Sequence, residues 1–193
     1  MDKELERYKE RLAALQATAA EHEEELERLL AEHYPGVRPP HAFLTFGSWA
    51  GGDQDGNPNC TPDLIPTALA RHRDAAIRSL RDRVTRLGAE LAISVRMVGV
   101  SDELLASIAA DEARMPVASR EILARNAAEP YRRKLSYVWE RLDPEGEAPY
   151  SDPEEMIADL RVVEASLLEH RGERIARRGL ARLMRQVETF GFH

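Results

Sequence analysis

The residues best equipped for chemistry lie in one stretch, Phe46-Gly47-Ser48-Trp49-Ala50-Gly51-Gly52-Asp53-Gln54-Asp55-Gly56-Asn57-Pro58. Four glycines in these thirteen residues let backbone approach a ligand closely or turn through positive φ. Asp53, Asp55 and Asn57 alternate, so an extended segment would point all three to the same side. Such a trio could bind a cation, orient a basic side chain or satisfy the amides of a turn. A calcium hand would want glycine after Asn57 and glutamate at the twelfth position, where Pro58 and Leu64 stand. The Gly-Lys-Ser/Thr of a phosphate loop, the G-x-G-x-x-G fingerprint, HExxH and any Cys–His metal spacing are all missing from the sequence. The six histidines are scattered and suggest no Ser–His–Asp arrangement. The plain alternative is an Asx-rich turn leading into a helix, since Gly, Asp and Asn are ordinary turn residues. Trp49, among glycines, suits a cavity rim better than a core.

The elements that must position this loop read as mainly helical. Residues 2–33 form one long helix. Leu5, Leu12, Ala19 and Leu26 recur every seven residues, and Tyr8, Leu15, His22 and Leu29 form the companion series. His22 reads as a core-edge histidine on that stripe. Pro35, Gly36, Pro39 and Pro40 end the helix. Phe43–Phe46 is a short β-prone run. Thr61-Pro62-Asp63 starts the next helix, which runs to about Val98. Leu69, Ile77, Leu80, Val84, Leu87, Leu91 and Val95 are its buried stripe, and Arg71, Arg78 and Arg81 its solvated face. Ser101-Asp102-Glu103 opens a third helix that stops near Met115-Pro116, and a fourth spans Val117–Asn126. Glu129-Pro130 opens a fifth, with Tyr131, Leu135, Val138 and Leu142, broken by Asp143-Pro144-Glu145-Gly146. Trp139 reads as core on this helix. Arg132, Arg133 and Lys134 read as a solvated or interhelical cluster, with Arg132 able to hold a buried carboxylate. Asp152-Pro153-Glu154-Glu155 opens a sixth helix, Glu155 completing a capping box. Gly172 separates it from a seventh, ending near Glu188.

Thr189–His193 reads as the start of a second β-prone run. The expected organisation is one partial domain: an N-terminal helix over 1–34, strand and loop over 43–60, a helical region over 61–188 and a truncated strand over 189–193. Two short strands cannot form a sheet alone, so this mainly α chain with one or two strands is expected to be part of something larger.

Composition narrows the class. Apolar residues make up 43% and aromatics only 6%, which suits helices packed on helices. The formal net charge of −7 argues against nucleic acid as a partner. No apolar run approaches a membrane span, and MDKELERYKE has no apolar signal region. The single cysteine, Cys60, can form no internal disulfide. A cytoplasmic location is the expectation.

Phe46–Pro58 closely resembles the F-G-S-W-x-G-G-D-R-D-G-N-P signature of phosphoenolpyruvate carboxylases. Glu129-Pro130-Tyr131-Arg132-Arg133-Lys134-Leu135 is similar to that family's E-P-Y-R-x-x-L segment, and Thr189-Phe190-Gly191-Phe192-His193 resembles the start of its T-F-G-x-H-L-x-x-L-D-I-R-Q run. The three occur in the family's order. The resemblance implies a reaction joining bicarbonate to phosphoenolpyruvate, giving oxaloacetate and phosphate, with Mg²⁺ or Mn²⁺. It implies an α/β-barrel with a helical shell, in an enzyme several-fold longer and homo-oligomeric. It makes Trp49, Gly51, Gly52, Asp53, Gln54, Asp55 and Asn57 substrate-pocket candidates, and Glu129, Tyr131 and Arg132 a structural motif. The family's T-A-H-P-T-E histidine, D-I-R-Q arginine, arginine-bearing glycine loops and acidic metal ligands do not occur in this sequence. No catalytic residue, no metal ligand and no bound metal are therefore expected in this chain, which is expected to be inactive alone. Gln54 departs from the family's arginine, losing a permanent charge and a five-donor fork. The rival readings are a non-catalytic helical interaction protein that kept an ancestral loop, supported by the heptad-like first helix, and, more weakly, an acidic-loop metal-binding module.

Overall fold

A computed structural model describes residues 25–37, 61–92 and 99–192, with Ala14, Thr18, Glu21 and His22. Among the described residues every regular element is a helix. The chain divides into two compact units, Met1–Ser79 with Glu188–His193, and Leu80–Val187. The candidate loop, the β-prone run before it and Val95 lie outside the described residues.

In the first unit, α1 is helical over 25–33. Arg28 braces it by pairing with Glu25 at 2.7 Å and Glu32 at 2.9 Å. Gly36, at φ 105°, turns the chain beyond it, a conformation that costs glycine least. Of the heptad series, Leu5, Tyr8, Leu12, Leu15 and Ala19 lie outside the described residues; among those described Leu26 is half-buried, while His22 and Leu29 are exposed and not at a core edge.

Helix α2, Leu64–Glu90, runs from the first unit into the second. Thr61–Asp63 form a turn ahead of it, with the Leu64 N–H donating to the Thr61 carbonyl at 3.0 Å. Of the expected stripe, Ile77, Leu80, Val84, Leu87 and Leu91 are buried, but Leu69 is 57% exposed. The helix ends near Glu90 and not at Val98. Ile93, Val95, Val98 and Val100 follow, and β-branched side chains lose rotamer freedom in a helix.

The second unit packs α3 (Asp102–Arg114), α4 (Pro116–Asn126), α5 (Pro130–Arg141) and α6 (Pro153–Glu169). Its core holds Leu104, Ile108, Met115, Ile122, Leu135, Val138, Met156, Leu160, Val163 and Leu167. Ser101 caps α3, its hydroxyl accepting from the Leu104 N–H at 3.2 Å. The carboxylate of Glu147, in the α5–α6 loop, accepts from the Val117 and Ala118 N–H groups at the start of α4. Asp152 caps α6 through the Glu155 N–H at 2.9 Å. The expected capping box is incomplete: the Glu155 carboxylate takes the Ser151 N–H at 3.3 Å and the Arg141 guanidinium at 2.8 Å.

Helix α6 ends with Arg171 in the left-handed region at φ 65°, while Gly172 lies at φ −84°. The short α7 (Glu173–Ile175) continues through a π-helical turn, Ala176–Leu180, into α8 (Ala181–Phe190). Thr189 and Phe190, expected to begin a strand, are the last helical residues of α8. The apolar spacing Leu183, Val187, Phe190 continues the helical period, and Gly191 at φ 56° supplies the left-handed stop that ends many helices.

Candidate functional site

Helix α5 carries the Glu129–Leu135 segment and organises the second unit. Pro130 stands at its first turn, where the missing N–H costs nothing. Tyr131, Lys134, Leu135, Val138, Arg141 and Leu142 are all buried and fall at three- and four-residue steps on one face. Two of these inward residues are cations.

Lys134 is 0% exposed. Its ammonium donates to Asp111 Oδ2 of α3 at 2.6 Å and Asp159 Oδ1 of α6 at 2.7 Å. Asp159 Oδ2 also accepts from Arg141 at 2.9 Å and from the Tyr150 hydroxyl at 2.7 Å. Arg141 reaches Glu155 at 2.8 Å and the Ala148 carbonyl at 3.2 Å, and its guanidinium lies 4.0 Å from the Tyr150 ring centroid. The network thus joins α3, α5, α6 and the α5–α6 loop.

The two aspartates respond differently to sharing one ammonium. Burial pushes the Asp111 carboxyl above its ordinary value, and Lys134 only partly offsets this. Burial also acts on Asp159, but Lys134, Tyr150 and Arg141 together hold its carboxyl below the ordinary range. Burial and the adjacent Asp159 push the Tyr150 hydroxyl well up, so it remains a donor. A lysine needs a free, deprotonated amine to act as base or nucleophile. Lys134 instead sits between two carboxylates with no solvent exposure, an arrangement suited to holding helices together.

Tyr131 makes the second tie. Its hydroxyl donates to the Gly99 carbonyl at 3.2 Å and meets Ser166 Oγ at 2.9 Å, while the Ser101 N–H donates to the same Ser166 Oγ at 3.0 Å. The chain entering α3 is thereby held to α5 and α6. Arg132 does not hold a buried carboxylate: it is exposed and pairs with Glu129 at 3.2 Å. Lys134, expected in a solvated or interhelical cluster, does that work because it stands three residues from Tyr131 on the inward face.

Trp139 is half-buried and not a plain core residue. The Arg81 guanidinium lies 4.0 Å from its ring centroid, and Arg81 also pairs with Asp143 at 3.1 Å. Arg81 therefore leaves the solvated face on which its spacing put it. Trp139 borders a groove of about 250 Å³ with Gly88, Arg125, Asn126, Arg132 and Glu140.

Trp49, Gly51, Gly52, Asp53, Gln54, Asp55 and Asn57 lie outside the described residues. Of the sequence candidates, the structure places Glu129, Tyr131 and Arg132, bringing Tyr131 into the core and leaving Arg132 on the surface. Sequence reasoning placed Lys134 in a solvated or interhelical cluster, and the interhelical alternative is the one found; it missed Asp111, Arg141 and Asp159. The signal was a charge on an apolar stripe: Asp111 follows Leu104 and Ile108, and Asp159 lies between Ile157 and Leu160. No group of three His, Cys, Asp or Glu side chains suited to a metal occurs among the described residues. Buried Asp111 and half-buried Asp159 are already engaged by Lys134, and Asp159 by Arg141 as well.

A sequence profile described as phosphoenolpyruvate carboxylase matches residues 8–193. The chain belongs to the phosphoenolpyruvate carboxylase family. Similar proteins include a phosphoenolpyruvate carboxylase of Burkholderia mallei (strain SAVP1), 39% identical over 191 aligned residues that cover 88% of this chain and 18% of the relative. Another, from Burkholderia vietnamiensis, is 37% identical over 191 residues, and one from Paraburkholderia xenovorans is 34% identical over 193. The chain spans about 18% of the length of these phosphoenolpyruvate carboxylases. No helix among the described residues is long and apolar enough to cross a membrane.

Proposed function

We propose that this chain is a segment of a phosphoenolpyruvate carboxylase that carboxylates phosphoenolpyruvate with bicarbonate to oxaloacetate and phosphate, and that the chain alone is inactive. The family match over residues 8–193 carries the reading, and the Phe46–Pro58 signature sharpens it. Within the intact enzyme, Trp49, Gly51, Gly52, Asp53, Gln54, Asp55 and Asn57 line the substrate pocket at the mouth of an α/β-barrel. Helices α3–α6 are the rigid support, with Lys134 and Tyr131 clamping α5 to its neighbours. The metal, Mg²⁺ or Mn²⁺, stabilises the enolate in the intact enzyme. Its ligands are not assigned to this chain, whose Asp111 and Asp159 serve cations of the protein. The intact enzyme is cytoplasmic and homo-oligomeric, with no nucleic-acid or membrane partner.

The test is a coupled oxaloacetate assay on two proteins. One is this chain. The other is the Burkholderia mallei relative with this chain replacing its matching stretch. The chimera turns over and the chain does not. Losing a single oxyanion donor costs about 10²–10³ in rate, and the chain has neither the family's histidine nor its D-I-R-Q arginine. Turnover by the chain alone, or a folded but inactive chimera, overturns the proposal.

A further inference from the structure

The groove beside Trp139 lies inside the second unit, among α2, the last turn of α4 and α5. Its volume is about 250 Å³, just below the range of drug-sized ligand pockets, roughly 300–1,000 Å³, and enough for a small molecule. Val84, Ile122 and Leu135 supply apolar surface and Trp139 an aromatic ring. Gly88 keeps the groove open. This glycine is buried within α2, although glycine is a poor helix former. Backbone conformation does not demand it, since its φ is not positive. Close packing does not demand it either: an added Cβ would meet only Arg132 Cγ, at an ordinary 3.9 Å. The side chain left out at position 88 is space in the groove.

The charges around that space do not balance. Arg125 pairs with Glu121 at 2.6 Å, and Arg132 with Glu129 at 3.2 Å. Arg81, against the Trp139 ring, is held by Asp143 at 3.1 Å. Glu140 is left over. It lines the groove half-buried, and its carboxylate makes no hydrogen bond and no ion pair among the described residues. Burial pushes this carboxyl above its ordinary value; Arg81 opposes the shift, Asp143 and Glu121 add to it, and Arg125 opposes it least. Helix α4 ends beside the groove at Asn126, which adds the partial negative charge of a helix C-terminus.

We propose that this groove binds a small organic cation, a primary ammonium on a short aliphatic stem. Glu140 accepts from the ammonium, and the stem covers the apolar surface of Val84, Ile122, Leu135 and Trp139, releasing water from it. An anion would have to draw Arg125 or Arg132 away from a carboxylate it already holds, whereas a cation meets an open acceptor. A free amine and a lysine side chain offer the same chemistry.

The experiment titrates the chain with n-butylammonium chloride above neutral pH, with sodium chloride holding the ionic strength. The readout is the indole N–H resonance of Trp139, identified by its loss in Trp139→Phe. The natural chain and Glu103→Gln, changed at an exposed position of α3, show a saturable shift. Glu140→Gln keeps the shape of the side chain and needs about tenfold more ligand. Gly88→Leu fills the groove and loses the response. n-Butanol, the same stem without the charge, gives no saturable shift over the same range. Repeating the titration with Nα-acetyl-lysine amide separates the sources: half-saturation at lower concentration than n-butylammonium assigns the groove to a lysine side chain, and the reverse to a free amine. A shift that never saturates, an equal response to n-butanol, or the same half-saturation in the natural chain and Glu140→Gln would sink the proposal.

Discussion

At the scale of single residues, Lys134 decides the most. Removing one partner of a buried charge group leaves the others uncompensated, which costs about 3–5 kcal/mol. Lys134→Met strands Asp111, leaves Asp159 only Arg141 and Tyr150, and is expected to lose stability of that order in urea unfolding. Asp111→Asn keeps the shape, removes the acid that burial already disfavours as an anion, and leaves Lys134 its bond to Asp159. Its loss is expected to be clearly smaller; equal losses would show that the two aspartates share the ammonium evenly. The same pair sets an acid response. The folded value of Asp159 is lowered, so its stabilisation is present above the unfolded carboxylate value, about 3.9, and is lost as pH falls through the folded value. That of Asp111 is raised, so protonating it opposes no folding. Stability is therefore expected to hold down to about pH 5 as far as this cluster is concerned, then fall below about pH 4. Asp159→Asn should flatten that acid limb, and an unchanged limb would contradict the assignment.

At the scale of elements, two helix ends carry predictions. The N-terminus of α4 has Met115 at its cap position, with no side-chain cap, and borrows Glu147 from thirty residues away in sequence. Glu147→Ala is expected to cost about 1 kcal/mol, as a lost cap does. Hydrogen exchange should localise the change to the first turn of α4; protection unchanged there would argue that water replaces the carboxylate at no cost. At the end of α6 the left-handed residue is Arg171 and not the neighbouring glycine. A left-handed non-glycine residue costs about 1–2 kcal/mol, so Arg171→Gly is expected to raise the urea midpoint by a fraction of that. Gly172 is needed for another reason: an added Cβ would lie 2.6 Å from Leu167 Cδ2 and 3.0 Å from the Leu167 carbonyl. Gly172→Ala should therefore destabilise although its φ is ordinary.

At the scale of the whole molecule, the departure at Gln54 offers a test of the proposed substrate pocket. Where the family has arginine, this chain offers an uncharged amide. A charge-assisted hydrogen bond is worth about 1.5–3 kcal/mol, and each 1.4 kcal/mol is about tenfold in rate. In the Burkholderia mallei chimera, Gln54→Arg is expected to raise kcat/KM by about tenfold or more. If the arginine acts on substrate binding alone, the gain appears in KM; if on the transition state, in kcat. Equal rates in the two chimeras would show that position 54 has no part in the reaction.

The sequence alone determined the helical class, most helix boundaries in the second unit and the family. These rest on local codes. Ser101 and Asp152 accept from the amides three residues on, Pro130 begins α5, and the loop signature is a contiguous string. Period alone also told the buried face of α2 from Ile77 to Leu91. Tertiary structure decided what the charges do. Spacing puts Lys134, and not Arg132, on the face of Tyr131 and Val138, but spacing does not say what would compensate a charge buried there. Lys134 becomes a core residue only because α3 and α6 bring Asp111 and Asp159 within 2.7 Å of its ammonium, offsetting a desolvation that spacing cannot reveal. Arg81 likewise leaves the solvated face because Trp139 and Asp143, 58 and 62 residues away, lie within its reach. The strand expected at Thr189 failed for a related reason. A short β-prone run becomes a strand only beside a partner, and with no such pairing described, the helical period of α8 carries through Phe190 to the left-handed Gly191.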